Sequence, residues 1–164
     1  MPRPLRRFRR RRFLGLLMAS CLPVPALATE EPVSLPFEFD PARDPAQDLD
    51  VALRIARAAG RHVIIDVGGE WCSWCHILDR FFTANADLKR YRDAKYVWLK
   101  VNWSAENHND AFLKRYPAIK GYPHLFVLDA NGRLLHSQDT EELETTKNYD
   151  PAAMRAFLVK WAPR

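Results

Sequence analysis

Cysteine is scarce in this sequence: Cys21, Cys72 and Cys75 are the three among 164 residues. Exported domains that are held together by disulfides carry several cysteines spread along the chain, so this composition argues against such a scaffold. Structural zinc sites need four ligands, and the sequence has no second C-x-x-C and no paired histidines at zinc-binding spacing. Cys72 and Cys75 would close a loop too small to add much stability, so their predicted purpose is chemical.

Long apolar runs are also missing, since the run at residues 13–22 is too short to span a bilayer as a stable helix. Seven arginines precede this run, and Ala26-Leu27-Ala28, a small-x-small pattern recognised by signal peptidase, follows it. Together these features predict a signal peptide over residues 1–28 that is cleaved after Ala28. The alternative is a basic amphipathic helix that stays in the mature protein.

Two further features of the leader bear on the export route. Residues 10–14 resemble the twin-arginine pattern, and residues 18–21 resemble a lipobox in which Cys21 would be lipidated. Cleavage after Ala28 is favoured over both, because clustered arginines produce such pairs by chance and Met18 is a poor lipobox residue. Each route predicts delivery to the bacterial envelope, with the periplasm as the favoured location.

The predicted mature chain also lacks an excess of positive charge. The whole chain carries 25 Lys and Arg against 20 Asp and Glu, a formal charge of +5. Losing the seven leader arginines leaves 18 basic residues against 20 acidic ones. The basic composition therefore belongs to the leader, and the mature protein is not predicted to bind nucleic acid or a membrane surface.

The remaining 136 residues suffice for one domain. Residues 29–45, rich in proline and acids, are predicted as an extended lead-in, and residues 46–164 as the domain. Apolar spacing and turn signals predict helices at 46–59, from 75 to about 86, at 104–116 and from 150 to 161. They predict strands at 62–67, 96–101, 124–128 and 133–136, and a solvated loop at 137–149. This order indicates an α/β fold with a mixed sheet.

The segment E-W-C-S-W-C-H, residues 70–76, fits two unrelated motifs. C-x-x-C is the core of thiol–disulfide exchange proteins, whereas C-x-x-C-H is the attachment signature of a c-type haem. In the haem hypothesis, His76 would be an axial ligand. The second axial ligand is then hard to find, because Met154 is the one methionine of the mature chain and lies in the last predicted helix.

Several motifs, in order along the chain, resemble the thioredoxin superfamily. Residues 63–75 resemble its strand, buried Asp and W-C-x-x-C segment, and Lys100 matches its lysine at the end of the central strand. Gly121-Tyr122-Pro123, followed by a strand and a turn, resembles its cis-proline segment. The resemblance covers residues 49–161 and looks closest to exported proteins with W-C-x-W-C. These include the soluble C-terminal domain of membrane thiol:disulfide interchange reductases. It implies a thioredoxin-like fold.

The resemblance also implies roles for the reactive residues. Cys72, at the change from strand to helix, would be the nucleophile, because a helix N-terminus favours the thiolate. Cys75 would resolve the mixed disulfide. Asp66, buried in its strand, would accept the proton of Cys75, and Lys100 could pair with it. Alternatively, Asp66 caps a strand end and faces water.

The same resemblance implies a substrate-binding surface. Pro123 is expected to be cis, and Tyr122 would offer backbone groups to an extended peptide. Trp71 and Trp74 could form an apolar rim for that contact. Trp74 stands where thioredoxins have proline, so no redox potential is transferred. His124 is predicted to be a solvated or core histidine.

The resulting hypothesis is a monomeric periplasmic thiol–disulfide oxidoreductase. The redox disulfide Cys72–Cys75 would act on protein disulfides without metal or other cofactor. The reductase direction, which needs electrons from a membrane partner, is favoured by resemblance alone. Maturation of apocytochromes and repair of wrong disulfides are both open as purposes. The alternatives are a c-type haem protein and a thiolate metal-binding or non-catalytic interaction module, which could hold Cu(I) or Zn(II).

Overall fold

The computed structural model describes residues 35–164. The predicted signal peptide and the first residues of the lead-in lie outside this range. The helices are α1 (Pro45–Ala59), α2 (Ser73–Ala84), α3 (Ala86–Lys95), α4 (Asp110–Leu113) and α5 (Pro151–Trp161), and a 3-10 helix covers Thr140–Leu143. The strands are β1 (His62–Gly68), β2 (Tyr96–Asn102), β3 (His124–Leu128) and β4 (Leu134–Asp139).

Within the described residues the four strands form one mixed sheet in the order β2-β1-β3-β4. β1 runs parallel to β2 and antiparallel to β3, which pairs antiparallel with β4. The inner strand β1 is buried along nearly its whole length, because helices cover both faces of the sheet. α1 and α4 pack on one face, and α2, α3 and α5 pack on the other. The predicted α/β fold with a mixed sheet is therefore confirmed.

Helix boundaries at α1 and α5 follow the predicted signals. Asp44 accepts hydrogen bonds from the first backbone N–H groups of α1, and Gly60 ends that helix in the left-handed conformation at φ 63°. Asp150 caps α5 in the same way and Pro151 occupies its first turn. β1 begins two residues after Gly60, so the end of α1 determines where this strand starts.

The predicted helix at 104–116 is wrong, because it reduces to the single turn α4. Asn102 Nδ2 donates to the Asn107 carbonyl oxygen at 2.9 Å and to Ser104 Oγ at 3.1 Å. Asn109 Nδ2 donates to the Asn102 carbonyl at 2.7 Å, and Asn109 itself is left-handed with φ 51°. These amide side chains bind the local backbone and compete with helical hydrogen bonds, so the segment forms a structured loop.

Helix α3 was not predicted. Leu88 is its one buried residue, so it lacks the apolar stripe on which the sequence analysis relied. The helix predicted from Cys75 ends at Ala84 rather than near residue 86, and Asn85 separates it from α3. Asn85 Nδ2 donates to the Phe81 carbonyl oxygen at 2.8 Å, which satisfies one of the free carbonyls at the end of α2.

The predicted solvated loop at 137–149 is also wrong. β4 continues to Asp139 and the 3-10 helix follows at once. Leu143 and Tyr149 are buried in the core with α2 and α5. The acidic side chains Glu141 and Glu142 are exposed, which made the segment look solvated in the sequence.

None of the helices in residues 35–164 has the length and apolar character needed to cross a bilayer.

Candidate active site

Cys72 and Cys75 are joined in a disulfide at the point where β1 gives way to α2, with their Cα atoms 5.3 Å apart. Cys72 is the N-cap residue of α2, and its Sγ accepts a hydrogen bond from the Cys75 backbone N–H at 3.1 Å. The free N–H groups and the dipole at this helix end favour negative charge on the Cys72 sulfur when the disulfide is reduced. This is the environment that lowers the pKa of a thiol and makes it a nucleophile.

Asp66 lies in β1 and is almost completely buried, at 1% exposure. Its Oδ2 accepts from Trp98 Nε1 at 3.1 Å and from Lys100 Nζ at 3.4 Å, while Oδ1 has no donor among the described residues. Burial raises the pKa of Asp66, and the neighbouring Lys100 offsets part of that rise. The water-facing alternative for this residue is therefore wrong. A buried carboxylate with a raised pKa is suited to accept a proton from a thiol.

Lys100 is the register partner of Asp66 in the parallel ladder of β1 and β2. Its Nζ also donates to Asp79 at 3.0 Å, so the ammonium lies between two carboxylates. Burial lowers the pKa of Lys100, but Asp66 and Asp79 together outweigh it, so the net direction is upward. Lys100 is thus held in its charged form beside Asp66. Asp79 is half-exposed and connects this buried pair to the surface of α2.

The last residue of β1, Gly68, has the Cys75 sulfur directly against its α-carbon. An ideal Cβ at this position would lie 2.4 Å from Cys75 Sγ and 3.0 Å from Phe39 Cζ. A side chain here would therefore overlap both groups. The position of Cys75 against the strand depends on glycine at residue 68.

The peptide bond between Tyr122 and Pro123 is cis, as expected from the resemblance. The Pro123 carbonyl oxygen accepts a hydrogen bond from Thr140 Oγ1 at 2.7 Å, which ties the loop to the 3-10 helix. His124 follows in β3 and is buried, with its Nε2 2.8 Å from Ser137 Oγ. Burial lowers the pKa of His124. The interpretation as a core histidine is confirmed.

Aromatic rings cover the surface beside the disulfide. Trp71 is 55% exposed, and its Nε1 donates to the Trp103 carbonyl oxygen at 2.7 Å. Trp71 meets the Tyr122 ring edge-on at 5.6 Å, and Tyr122 stacks on Trp103 at 4.8 Å. Trp74 packs edge-on against Tyr149 at 5.6 Å. The predicted rim residues are therefore brought near the site, with Trp71 as the exposed one.

The comparisons with known proteins agree with this geometry. A family model described as thioredoxin-like matches residues 44–130, more than half of the chain. The chain belongs to the thioredoxin-like family. The thiol:disulfide interchange protein DsbD of Klebsiella pneumoniae subsp. pneumoniae is 27% identical over 114 residues, which is 70% of this chain and 18% of that protein. This chain therefore spans less than a fifth of that relative's length.

Solved structures show the same fold. The disulphide isomerase of Xylella fastidiosa Temecula1 matches with a TM-score of 0.64 and 18% identity, covering 78% of this chain and 97% of that one. The oxidised C-terminal domain of Neisseria meningitidis DsbD matches with a TM-score of 0.50 and 16% identity, covering 72% and 93%. These two matches show that the chain has the fold of these proteins.

Three residues of this thioredoxin-like site were missed in the sequence. Asp79 follows Cys75 by four residues, and this i, i+4 spacing places both on one face of α2, so the sequence did contain a signal for it. Trp103 lies directly after β2, just before the segment that was wrongly predicted as a helix. Phe39 belongs to the lead-in, far from the cysteines in sequence, and no local pattern places its ring beside them.

Within residues 35–164 no group of three or more His, Cys, Asp and Glu side chains is arranged to hold a metal ion. His76, the residue that completes the haem signature, donates from Nε2 to the Glu70 carbonyl oxygen at 2.8 Å. The same nitrogen lies 3.6 Å from Glu70 Oε2. His76 is thus directed toward the start of the motif.

Proposed function

We propose that this protein is a thiol–disulfide oxidoreductase of the bacterial envelope that reduces disulfides in other proteins. The observation that carries the proposal is the position of the Cys72–Cys75 disulfide at the N-terminus of α2, directly after the strand that contains the buried Asp66. The likeness to DsbD supports the same chemistry. The redox pair itself serves as the electron carrier, and the protein acts as a monomer.

The reaction follows from the order of the two thiols. The Cys72 thiolate attacks one sulfur of a substrate disulfide, forms a mixed disulfide and expels the other substrate sulfur as a thiolate. Cys75 then gives its proton to the Asp66 carboxylate, and its sulfur attacks Cys72 Sγ. This step forms the Cys72–Cys75 bond and releases the second substrate thiolate. Two electrons pass to the substrate, and a dithiol of a partner protein restores the reduced pair.

The substrate is an extended segment of a polypeptide that carries a disulfide. The backbone of Tyr122 next to the cis-Pro123 bond is suited to pair with such a segment. Trp71 and Trp74 flank the cysteines, and Trp74 lines a shallow groove together with Tyr122 and Glu141. Aromatic rings at this surface provide apolar contact without sequence specificity, which fits a protein that acts on many substrates.

The leader sequence supports location in the periplasm. That compartment is oxidising, so a reductase needs a supply of electrons. We propose a membrane-bound dithiol protein as the donor, because an oxidising compartment has no pool of reduced thiols that could keep the pair reduced. The direction of electron flow can be tested by quenching cells with acid and alkylating free thiols. Two free thiols at Cys72 and Cys75 support a reductase, whereas a joined pair contradicts that direction.

The activity is tested by reduction of insulin with dithiothreitol, using protein purified from the envelope. The wild type should exceed the rate of dithiothreitol alone, and Cys72→Ser and Cys75→Ser should fall to that rate. Cys75→Ser should also accumulate a mixed disulfide through Cys72, because the resolving sulfur is missing. A wild-type rate equal to that of dithiothreitol alone contradicts the proposal. Covalently added haem in the intact mass, or tight Cu(I) or Zn(II) binding without insulin reduction, would favour the alternatives.

A further inference from the structure

The lead-in contains two phenylalanines with opposite environments. Phe37 is 89% exposed, whereas Phe39, two residues later, is 3% exposed. Burying a large aromatic ring in a segment without helix or strand structure requires a specific partner. For Phe39 that partner is the disulfide region, since its ring forms one buried apolar cluster with Cys72 and Cys75.

The ring of Phe39 contacts the parts of the site that handle the proton. Lys100 Nζ lies 4.0 Å from its centroid, within the range of a cation–π contact. The ring edge and Cys75 Sγ both lie against the α-carbon of Gly68. The ring therefore occupies the space between the lysine that pairs with Asp66 and the sulfur that Asp66 would deprotonate.

Hydrogen bonds hold the lead-in in this position. The Phe39 backbone N–H donates to Glu70 Oε1 at 2.9 Å, and Glu70 directly precedes Trp71 of the cysteine motif. Two residues further on, the Pro41 carbonyl oxygen accepts from Asn107 Nδ2 at 2.9 Å. The segment is thus attached on both sides of Phe39 to loops that border the site.

We propose that Phe39 is a positioning residue that closes the site on the side of Lys100 and keeps water and small reagents away from Cys75 and the Lys100–Asp66 pair. The proposal rests on the proposed function. Cys75 then reacts with Cys72 and with little else. Without the ring, Cys75 could be reached directly by other disulfides, and the proton would be exchanged with bulk water.

The first test measures alkylation of each cysteine in the reduced protein by iodoacetamide, followed by peptide mass spectrometry. Phe39→Ala should raise the alkylation rate at Cys75 by about tenfold or more. In the wild type, opening the site exposes the Phe39 ring to water, which is unfavourable, and the alanine variant does not have this cost. Phe39→Leu should restore most of the protection. Phe37→Ala is the matched control and should behave as the wild type. A rate at Cys75 in Phe39→Ala within twofold of the wild type overturns the proposal.

General destabilisation must be separated from local opening. Asp150→Ala removes the N-cap of α5, a helix with no residue in the buried cluster of Phe39, Cys72 and Cys75, and should weaken folding without removing a contact of Phe39. Cys75 in this variant should stay protected. Equal acceleration at Cys75 in Asp150→Ala and Phe39→Ala, at similar stability, overturns the proposal. Alkylation does not depend on insulin reduction, so failure of the proposed activity would be seen separately in the wild type.

A second readout is the pH profile of insulin reduction. Lys100 and Asp79 face Asp66 from β2 and α2, Trp98 of β2 donates a hydrogen bond to it, and Tyr149 lies close enough to interact electrostatically. All of these remain in Phe39→Ala, so the change is the entry of water. Water returns the pKa of Asp66 toward its ordinary value, and the profile should move to lower pH. An unmoved profile overturns the claim that the ring keeps water from Asp66.

Discussion

Replacing Gly68 by alanine tests how closely Cys75 is fitted against β1. The added methyl group would start 2.4 Å from Cys75 Sγ, whereas ordinary contact begins at 3.4 Å. The sulfur must therefore retreat by about 1 Å, or the strand must move. The strand is held on both sides by its ladders with β2 and β3. The displacement should fall on the disulfide and on the ring of Phe39.

Two opposing effects set the magnitude. Alanine in place of glycine restricts the unfolded chain and stabilises a protein by about 0.4–1 kcal/mol where the backbone allows it. Forcing an extra methyl group into a packed interior costs about 1–3 kcal/mol. Since neither the strand nor the disulfide can yield easily, the upper part of that range applies. We expect a net loss of about 1–2 kcal/mol in the free energy of unfolding.

Urea unfolding of the oxidised protein measures this loss, and Gly121→Ala is the matched control for stability. An ideal Cβ at Gly121 meets nothing within 4 Å among residues 35–164, so that variant should keep or gain stability. Gly68→Ala should also resolve mixed disulfides more slowly, since a misplacement of 1 Å can slow a reaction by about 100-fold. Equal stability and equal exchange rates in the two variants would refute the packing argument.

Three further variants probe the proton pair and the fold. Asp66→Asn should stabilise the protein at pH 8, where the wild type has to hold a buried carboxylate in its charged form. Because the pKa of Asp66 is raised in the folded state, the wild type loses stability as the pH rises from about 3.8 through the folded pKa. The stability gained by Asp66→Asn should therefore vanish below pH 4, which urea titrations at each pH would measure. Asp79→Asn removes a charge that raises the pKa of Asp66, so the pH profile of insulin reduction should move to lower pH. Asp150→Ala should cost about 1 kcal/mol in urea unfolding with insulin reduction unchanged, and a loss of activity would contradict a purely structural role for this cap.

The predictable parts of the site were those encoded in local sequence. The β-branched run before the cysteines, the glycines that end it and the helical spacing after it place Cys72 at a helix N-terminus. Asp66 is polar within an apolar strand, and its burial followed from the strand assignment. Lys100 depended on the resemblance, since its pairing with Asp66 is a matter of register between two strands that 27 residues separate.

The errors have a common physical origin in side chains whose partners are distant or unusual. The segment after β2 has helical spacing of apolar residues, but its asparagines satisfy the backbone first. α3 forms in spite of a polar surface, because it packs on α2, α5 and β2 rather than through an apolar stripe of its own. Phe39 fell within the predicted extended lead-in and was not singled out, since nothing near it in sequence reveals the surface on which it packs.

Lys100 explains why these missed residues matter for the chemistry. Its ammonium contacts Asp66 in β1, Asp79 in α2 and the ring of Phe39 in the lead-in, so three segments meet at one charge. Each neighbour of Lys100 has a different role. Asp66 forms the buried ion pair with it, Asp79 pairs with it from the half-exposed surface of α2, and Phe39 is proposed to exclude water from it. The proton affinity of Asp66 is the balance of these effects. In the proposed mechanism, the reactivity of Cys75 therefore depends on residues outside the cysteine motif, and changes at Phe39 and Asp79 should act on it non-additively because both act through Lys100.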